Sequence, residues 1–342
     1  MSNPYTLVFG QRPLEIIERT AQAERIISEF TQERPSNYLN LITGIRGCGK
    51  TVFITQIANR LNERGDWEVI NLNPQRDMLN SLVAKLDSNN TLSRIFRDAE
   101  INLSAFGLGV DIKGGDPIYD VEEALVKMLR SLKKHNKRIL ITIDEATNSK
   151  EMKIFASAYQ ILLREDLPVF LLMTGLYKNI DGLRNAEGMT FLERAPRTIL
   201  SPLNIDAITA NYFETLKVDL PKAVRLAALT KGYSFAFQTI GYFTWENPKD
   251  EEKALRDARE YLYEFAYTKI WSELSPKDRD MVKALADSQT GDVMDVRSKL
   301  NYTSDQFNPY RNRLIKAGVV MSPSNGHLEF ALPWFGEFAG RY

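Results

Sequence analysis

The sequence has little cysteine, little histidine and no excess of either charge. Cys48 is the only cysteine among 342 residues, so the chain cannot form an intrachain disulfide, which fits a reducing compartment. The two histidines, His135 and His327, lie far apart and have no companions at the spacing of a metal site. Basic and acidic residues number 44 each, so the molecule as a whole has no net charge to attract nucleic acid.

Long apolar runs are also missing. No segment approaches the roughly 20 apolar residues that a membrane-spanning helix needs, and the first residues lack the basic and apolar regions of a signal peptide. A hydrophobic content of 44% and a charged content of 26% are typical of globular proteins. We therefore expect a cytoplasmic protein of two or three domains.

The first 203 residues alternate between apolar strand-like runs and helical stretches. This alternation favours a parallel sheet covered by helices on both faces, which makes residues 1–203 an α/β core. The predicted strands are 38–43, 67–72, 138–143, 168–173 and 198–203. A glycine-containing run at 106–115, between the second and third strands, is a candidate inserted hairpin with no assigned role.

Two further domains follow the core. Residues 204–274 show helical spacing without strand-like runs, which predicts a small all-helical domain. Residues 275–342 contain three helical stretches and then two extended stretches around an Asn325-Gly326 turn. Ser275 and Pro276 suit the start of the first of these helices, and Thr303 or Ser304 suits the start of the third. Helix, helix, turn, helix and hairpin form the pattern of a winged helix-turn-helix domain.

A phosphate-binding loop follows the first predicted strand. Gly44, Gly49, Lys50 and Thr51 satisfy the pattern G-x-x-x-x-G-K-[ST], and a helical stretch follows it. Glycines let backbone N–H groups surround phosphates, while Lys50 reaches the β- and γ-phosphates. A chance glycine turn is the alternative, and the strand–loop–helix context disfavours it. The predicted nucleotide-binding residues are Gly44, Ile45, Arg46, Gly47, Cys48, Gly49, Lys50, Thr51 and Val52.

Cys48 lies inside this loop, among backbone N–H donors. Such donors would lower the pKa of its thiol and make it reactive. The alternative is that a small residue simply fills a position of the loop.

Two carboxylates end the strand predicted at 138–143. Asp144 stands where a carboxylate can hold Mg²⁺ beside the Thr51 hydroxyl, and Glu145 stands where it can orient or deprotonate water. The alternative is a buried strand that ends in an acidic surface turn. Together with the phosphate loop, the pair predicts a Mg²⁺-dependent site that hydrolyses a nucleoside triphosphate.

Two further catalytic candidates lie at the ends of later strands. Thr174 ends the run 168–173, and polar groups at adjacent ends of parallel strands converge. Thr174 is therefore placed to contact the γ-phosphate or water, or else it only caps its strand. Arg194 and Arg197 precede the fifth strand, and we favour Arg194 as the arginine that stabilises phosphate charge, in its own subunit or in a neighbouring one.

These motifs together resemble the AAA+ ATPases of the origin-recognition and archaeal type, relatives of the STAND signalling NTPases. Gly44-Ile-Arg-Gly-Cys-Gly-Lys-Thr51 is similar to the family's G-x-R-G-x-G-K-T loop, and Ile143-Asp-Glu145 to its acidic strand end. Glu18-Arg19 resembles the opening of the family's first helix, which places Arg19 near the adenine. The resemblance implies ATP as the nucleotide, since no guanine-reading Asn/Thr-Lys-x-Asp element is present.

The helical domain carries a further likeness. The run from Gly232 to Tyr242 resembles the family's lid helix, whose pattern begins Gly-Tyr-Pro. Ser234 replaces the proline, and the stretch contains no arginine to touch the γ-phosphate. The resemblance implies that ATP binds between core and lid.

The C-terminal domain has candidate contacts for double-stranded DNA. In a winged helix the third helix enters the major groove, with polar side chains exposed. The candidates for contacts with bases or phosphates are Ser304, Gln306, Asn308, Arg311, Asn312, Arg313, Lys316 and Asn325. From Ser275 onward the chain has nine basic and eight acidic residues, so charge alone does not predict strong DNA binding.

Two functions remain open on the sequence. The first is an ATP-controlled switch that binds DNA through the winged helix. The second is a STAND-like signalling or interaction ATPase, in which the winged helix contacts protein. A homo-oligomer is compatible with either, and neither needs a membrane.

Overall fold

The computed structural model describes residues 2–8, 13–107 and 116–342. The chain divides into two compact units. The sheet unit comprises Thr20–Thr43 and Lys50–Ile199, and the helical unit comprises Met1–Arg19, Gly44–Gly49 and Leu200–Tyr342. The predicted hairpin at 106–115 lies mostly outside the described residues. No described helix has the length and apolar character needed to cross a membrane.

The sheet unit is an α/β layer structure around five strands. The strands are β1 Leu39–Thr43, β2 Trp67–Leu72, β3 Arg138–Ile143, β4 Val169–Gly175 and β5 Arg197–Ile199. Its helices are α1 Thr20–Phe30, α2 Lys50–Asn62, α3 Met78–Ser88, α4 Asn90–Asp98, α5 Val121–Lys134, α6 Lys150–Arg164, α7 Tyr177–Arg184 and α8 Thr190–Glu193. A 3-10 turn at Ser104–Phe106 lies between α4 and α5.

The five strands form one parallel sheet in the order β2-β3-β4-β1-β5. Every residue of β1 and β4 is buried, which agrees with their largely apolar sequences. Because the strands are parallel, the carboxyl ends of β1, β3 and β4 lie at the same edge of the sheet. The predicted α/β parallel-sheet fold is confirmed.

The fifth strand is shorter than predicted. The sequence pattern gives 198–203, whereas β5 ends at Ile199. From Leu200 onward the chain belongs to the helical unit, and the Leu203 amide donates to the Gly232 carbonyl at 2.8 Å. The apolar run therefore continues beyond the strand because Leu200 and Leu203 are buried in a different unit.

The helical unit contains nine of the described helices and two short strands. The helices are α9 Ile205–Leu216, α10 Leu220–Leu229, α11 Ser234–Glu246, α12 Glu251–Leu262, α13 Thr268–Glu273, α14 Pro276–Ala286, α15 Val293–Lys299, α16 Ser304–Ala317 and α17 Phe335–Ala339. A π-helical turn, Tyr263–Tyr267, joins α12 to α13. The strands β6 Val320–Met321 and β7 Glu329–Phe330 form an antiparallel hairpin.

Side-chain caps fix where the later helices begin. Ser275 accepts from the Asp278 amide and Asp278 from the Ser275 amide, a reciprocal capping box with Pro276 at the first helical position. Thr303 and Gln306 form a second capping box at the start of α16. Both predicted helix starts are thereby found, with Thr303 rather than Ser304 as the cap.

An aromatic core holds the last helix of the chain against the middle of the helical unit. Phe335 and Phe338 of α17 lie 5.1 and 5.7 Å from the ring of Tyr267, centroid to centroid. The Tyr267 hydroxyl donates to the Pro333 carbonyl at 2.6 Å. The π-helical turn carries Tyr267 and Tyr263, whose hydroxyl donates to the Trp334 carbonyl at 3.3 Å. The C-terminal segment is thus tied to this turn by both ring packing and hydrogen bonds.

Candidate nucleotide site

The predicted phosphate loop joins β1 to α2. Thr43 ends the strand, Lys50 begins the helix, and Gly44–Gly49 form the turn between them. Gly47 and Gly49 have φ angles of +76° and +90°, a left-handed region that side chains other than glycine rarely adopt. The Cys48 amide donates to the Ile45 carbonyl at 3.2 Å, which closes the turn. The first six residues of the motif belong to the helical unit, and Lys50 and Thr51 belong to the sheet unit.

Within the helical unit, the carbonyl groups of the loop are bound by the segment that starts α11. The Tyr233 hydroxyl donates to the Arg46 carbonyl at 2.7 Å, and the Phe235 amide to the Gly47 carbonyl at 3.1 Å. The Ser234 hydroxyl donates to the Cys48 carbonyl at 2.8 Å. This approach is so close that a Cβ on Gly47 would lie 2.4 Å from the Tyr233 oxygen.

Arg19, predicted to lie near the adenine, contacts the backbone of the loop. Its Nη2 donates to the Cys48 carbonyl at 2.9 Å, and its Nε to the Ser201 carbonyl at 2.7 Å. A further bond of 3.2 Å joins Nη2 to the Ser234 hydroxyl. Burial lowers the pKa of Arg19, and the nearby Cys48 thiol partly offsets this. Arg19 therefore helps to fix the loop.

The side chains inside the loop face other parts of the helical unit. Arg46 forms an ion pair with Glu273, the last residue of α13, at 3.2 Å. Ile45 and Cys48 are buried, and a Cβ on Gly44 would lie only 2.5 Å from the Cys48 sulfur. A small buried side chain suits this position, which favours the packing interpretation of Cys48.

At the Lys50 end, the sheet unit brings three predicted side chains together. Thr51 Oγ1 donates to Asp144 Oδ2 at 2.6 Å, and the Thr174 hydroxyl donates to Asp144 Oδ1. Lys50, Thr51 and Val52 are the first three residues of α2. Asp144 follows β3 and Thr174 lies near the end of β4, so the carboxyl edge of the sheet places both near the start of α2.

Glu145 is held in an unusual backbone conformation beside this cluster. Its φ angle is +57°, a value whose cost for a residue other than glycine is on the order of 1–3 kcal/mol. The Glu145 amide donates to Asp144 Oδ1 at 3.0 Å and to Thr174 Oγ1 at 3.2 Å, which fixes this conformation. The residue is exposed, so its carboxylate is accessible to water.

Arg194 lies away from this cluster. It follows α8, is exposed, and precedes the amino end of β5, whereas the phosphate loop follows the carboxyl end of β1. The two strands are parallel, with Arg197 opposite Leu41 and Ile199 opposite Thr43, so Arg194 belongs to the opposite edge of the sheet. Arg197 packs its guanidinium 4.8 Å from the ring centre of Tyr177.

The donor set fits Mg²⁺ better than a transition metal. The described residues contain no group of three or more His, Cys, Asp or Glu side chains able to hold a metal ion. Thr51 and Asp144 instead offer hard oxygen atoms 2.6 Å apart. Mg²⁺ in nucleotide sites keeps few protein ligands and takes its remaining oxygens from phosphates and water. The pair suits that role.

Residues 22–165 match the family model of an ATPase domain predominantly from Archaea. These residues form a P-loop ATPase domain. A second model, for a domain of unknown function, matches residues 264–339 of this ATPase. A comparison with proteins of curated function gave no match.

Two solved structures share the fold of this ATPase. The Walker-type ATPase of Pyrococcus abyssi aligns over 98% of this chain and 99% of its own, with 17% identity and a TM-score of 0.68. The ORC2 protein of Aeropyrum pernix in its ADP form aligns over 98% and 96%, with 14% identity and a TM-score of 0.50. Family match and fold together confirm the predicted likeness to origin-recognition-like AAA+ ATPases.

Sequence reasoning missed the residues that bind the loop carbonyls. Tyr233 and Ser234 lie more than 180 residues after the loop, and no spacing rule connects them to it. The available signal was the serine at a position where the resembling family has proline. That substitution introduces a hydroxyl donor, but its partner is visible only in the fold.

The candidate DNA-binding residues fall into two groups. Arg313 is bound to the buried Asp278 at 2.6 Å, Arg311 to Ser322 at 3.1 Å, and Gln306 to the Thr303 amide in the capping box. These three side chains are already engaged within the domain. The second group consists of Ser304, Asn308, Asn312, Lys316 and Asn325, all of them exposed, and of these Ser304 accepts a hydrogen bond from Arg297.

Proposed function

We propose that this ATPase is a Mg²⁺-dependent AAA+ switch that couples ATP binding and hydrolysis to DNA binding by residues 275–342. The observation that carries the ATP half is the contact of Thr51 and Thr174 with opposite oxygens of Asp144. One carboxylate there organises both hydroxyl groups, at the edge of the sheet where the loop begins α2.

Each residue of this cluster has a distinct proposed role. Lys50 binds the β- and γ-phosphates, while Thr51 and Asp144 hold Mg²⁺, which would neutralise phosphate charge when bound. Glu145 accepts a proton from the attacking water or orients it, and its exposed position suits that task. Thr174 fixes the orientation of Asp144 and, through the Glu145 amide, the turn that presents Glu145.

Arg194 serves a neighbouring subunit in this proposal. Its position before the amino end of β5 separates it from Asp144 and Glu145, which follow the carboxyl end of β3 in the same sheet. An exposed arginine at that edge is available to the nucleotide of another copy, as in oligomeric ATPases that use an arginine finger in trans. We therefore propose a homo-oligomer as the hydrolysing form.

The elements of residues 275–342 support a winged helix. Helices α14, α15 and α16 are followed by the β6–β7 hairpin, and Asp292 pairs with His327 in an antiparallel bridge. This single bridge, formed just before the second helix with a residue of the hairpin connection, is consistent with a wing. The turn of the hairpin lies at Asn325 and Gly326, and both are exposed.

One face of α16 supports DNA as the partner. Asn308, Asn312 and Lys316 are spaced four residues apart, so they line one side of the helix, and all three are exposed. Amide side chains can form paired hydrogen bonds with adenine, and lysine binds phosphate. We propose that this row enters the major groove and that Asn325 contacts the adjacent backbone.

A signalling ATPase is the second candidate, favoured by a different observation. The hairpin and the C-terminal segment are bound to the rest of the helical unit, with Lys231 donating to the Phe330 carbonyl at 2.8 Å and Tyr267 to Pro333. Nine basic and eight acidic residues from Ser275 onward give little charge for DNA. In this alternative the same surface contacts protein.

The test is binding of a fluorescently labelled, mixed-sequence DNA duplex, followed by anisotropy over a series of salt concentrations with ATP present. We expect binding that weakens with salt, and a salt slope smaller by about one for each phosphate contact removed in the Asn312→Glu/Lys316→Glu variant. Lys249→Glu, an exposed lysine before α12, is the matched control and should leave the slope unchanged. Absence of DNA binding by the wild type, with an ATP-dependent change in oligomeric state, would support the signalling function.

A further inference from the structure

Three consecutive carbonyl groups of the phosphate loop are bound by three consecutive residues of one distant segment. The carbonyls belong to Arg46, Gly47 and Cys48, and the donors are the Tyr233 hydroxyl, the Phe235 amide and the Ser234 hydroxyl. Arg19 adds a second donor to the Cys48 carbonyl. All of these groups lie in the helical unit. Nearly all of this stretch of backbone is therefore oriented by hydrogen bonds on its carbonyl side.

Carbonyl orientation decides the direction of the N–H groups. In a trans peptide the C=O of one residue and the N–H of the next point in opposite directions. With the carbonyls of residues 46 and 48 directed toward residues 233–235, the N–H groups of Gly47 and Gly49 point away from that segment. N–H groups aimed to one side line an anion-binding concavity, which is what the phosphates require. The Cys48 N–H, between these two, donates instead to the Ile45 carbonyl and closes the turn.

The hydroxyl groups of Tyr233 and Ser234 are suited to donate permanently to the loop carbonyls. Tyr233 is buried, and this burial is the main reason why the pKa of its hydroxyl lies well above the ordinary value. The nearby Cys48 thiol raises that pKa further, so the hydroxyl stays protonated. Ser234 is the first residue of α11, a position where proline also fits a helix. Serine there adds a hydroxyl that proline lacks, and that hydroxyl binds the loop at 2.8 Å.

The loop glycines also fit this arrangement. A Cβ on Gly47 would lie 2.4 Å from the Tyr233 oxygen and 3.0 Å from the Cβ of Phe235. A Cβ on Gly49 would lie 3.2 Å from the Ser234 oxygen. Glycine at these two positions permits both the left-handed backbone and the close approach of residues 233–235.

We propose that Tyr233 and Ser234 are positioning residues that orient the loop peptides for phosphate binding. They act through the backbone and touch no reacting atom. This inference rests on the nucleotide site of the proposed function and is independent of DNA binding. The oriented N–H groups bind phosphate in the ground state and in the transition state alike, so their loss raises KM more than it lowers kcat.

The test compares variants that remove only the hydroxyl groups. Tyr233→Phe and Ser234→Ala should each weaken ATP binding about fivefold, and the double variant about tenfold or more, as expected for lost hydrogen bonds. We expect kcat at saturating ATP to stay within about twofold of the wild type. Ser234→Thr, which keeps a hydroxyl, should restore affinity, whereas Ser234→Pro should behave like Ser234→Ala.

The matched control is Thr239→Val. Thr239 is buried in the same helix, and its hydroxyl donates to the Phe235 carbonyl inside α11 without contact to the loop. This variant should reduce thermal stability without changing ATP affinity. Equal weakening of ATP binding by Thr239→Val and Ser234→Ala would show a general structural effect and overturn the positioning role.

Failure of this inference can be told apart from failure of the nucleotide site. If Lys50→Ala weakens ATP binding at least about tenfold but Tyr233→Phe/Ser234→Ala leaves ATP affinity unchanged, only the positioning role is overturned. A wild type that binds no ATP would overturn both.

Discussion

The two halves of the phosphate loop are held by different kinds of contact. In the sheet unit, Lys50 and Thr51 begin α2, and the Thr51 side chain meets the carboxylate of Asp144. In the helical unit, the backbone carbonyls of residues 46–48 accept from residues 233–235 and Arg19, which fixes this part of the loop. The sheet-unit part depends on particular side chains, so a sequence motif reveals it. The helical-unit part depends on the direction of its backbone carbonyls. That direction is set by residues 233–235, which no motif connects to the loop.

The largest expected effect comes from a substitution in the sheet unit alone. Glu145→Gln keeps the shape of the side chain but removes its ability to accept a proton. We expect kcat for ATP hydrolysis to fall about 10²- to 10⁴-fold, as for loss of a general base, with little change in ATP affinity. Phosphate release and ATP titration measure the two quantities. Glu151→Gln, an exposed residue of α6, is the control, and a variant Glu145→Gln with normal turnover would remove Glu145 from the mechanism.

The sequence predicted the sheet-unit half well because its information is local. Strand patterns placed β2 and β3 at their observed limits, and Asp144 and Glu145 were found directly after β3. Apolar periodicity failed at 198–203, because burial of Leu200 and Leu203 in the helical unit looks the same as burial in a strand. The ion pair of Arg313 with Asp278 was also invisible, since it joins residues 35 positions apart.

Ser234 shows a different limit of sequence reasoning. Its departure from the resembling family was visible, but the pattern gave no hydrogen-bond partner for the new hydroxyl. Only the fold brings that hydroxyl to the Cys48 carbonyl. The π-helical turn at Tyr263–Tyr267 likewise has no sequence signal, because the residues around it keep ordinary helical spacing.

A smaller effect is expected in the helical unit, where an ion pair joins the phosphate loop to α13. Arg46 and Glu273 form a partly exposed ion pair at 3.2 Å, with side-chain exposures of 33% and 19%. We expect a double-mutant cycle with Arg46→Ala and Glu273→Ala to give a coupling of about 0.5–1 kcal/mol in the free energy of unfolding, discounted for solvent exposure. Urea unfolding measures it. Lys269→Ala, also on α13, is the control, and its change in the free energy of unfolding should add to that of Arg46→Ala. If the changes of Arg46→Ala and Glu273→Ala are additive as well, the ion pair contributes nothing to stability.

The smallest effect concerns the C-terminal segment. The hydrogen bond from Arg341 lowers the pKa of Glu260, with the Arg341 charge acting in the same direction and burial opposing it. A carboxylate with a lowered pKa in the folded state stabilises the fold above the unfolded pKa of about 4.3, and this contribution is lost as the pH falls through the folded pKa.

The expected contribution is small because both side chains are about half exposed. Arg341→Ala should reduce the free energy of unfolding at neutral pH by about 0.2–1 kcal/mol. The difference from the wild type should shrink when urea unfolding is repeated at acid pH. A difference that grows under acid conditions would mean that the ion pair is not its source.

The most direct test of the account is ATP binding in the presence of Mg²⁺ by the wild type and by Lys50→Ala. In the proposed site Lys50 supplies the charge that meets the phosphates, and hydrogen bonds to charged groups contribute about 1.5–3 kcal/mol. We predict that the variant keeps the thermal stability of the wild type without nucleotide and binds ATP at least about tenfold more weakly. Equal ATP affinity in the two proteins would contradict the assignment of Gly44–Thr51 as the nucleotide site.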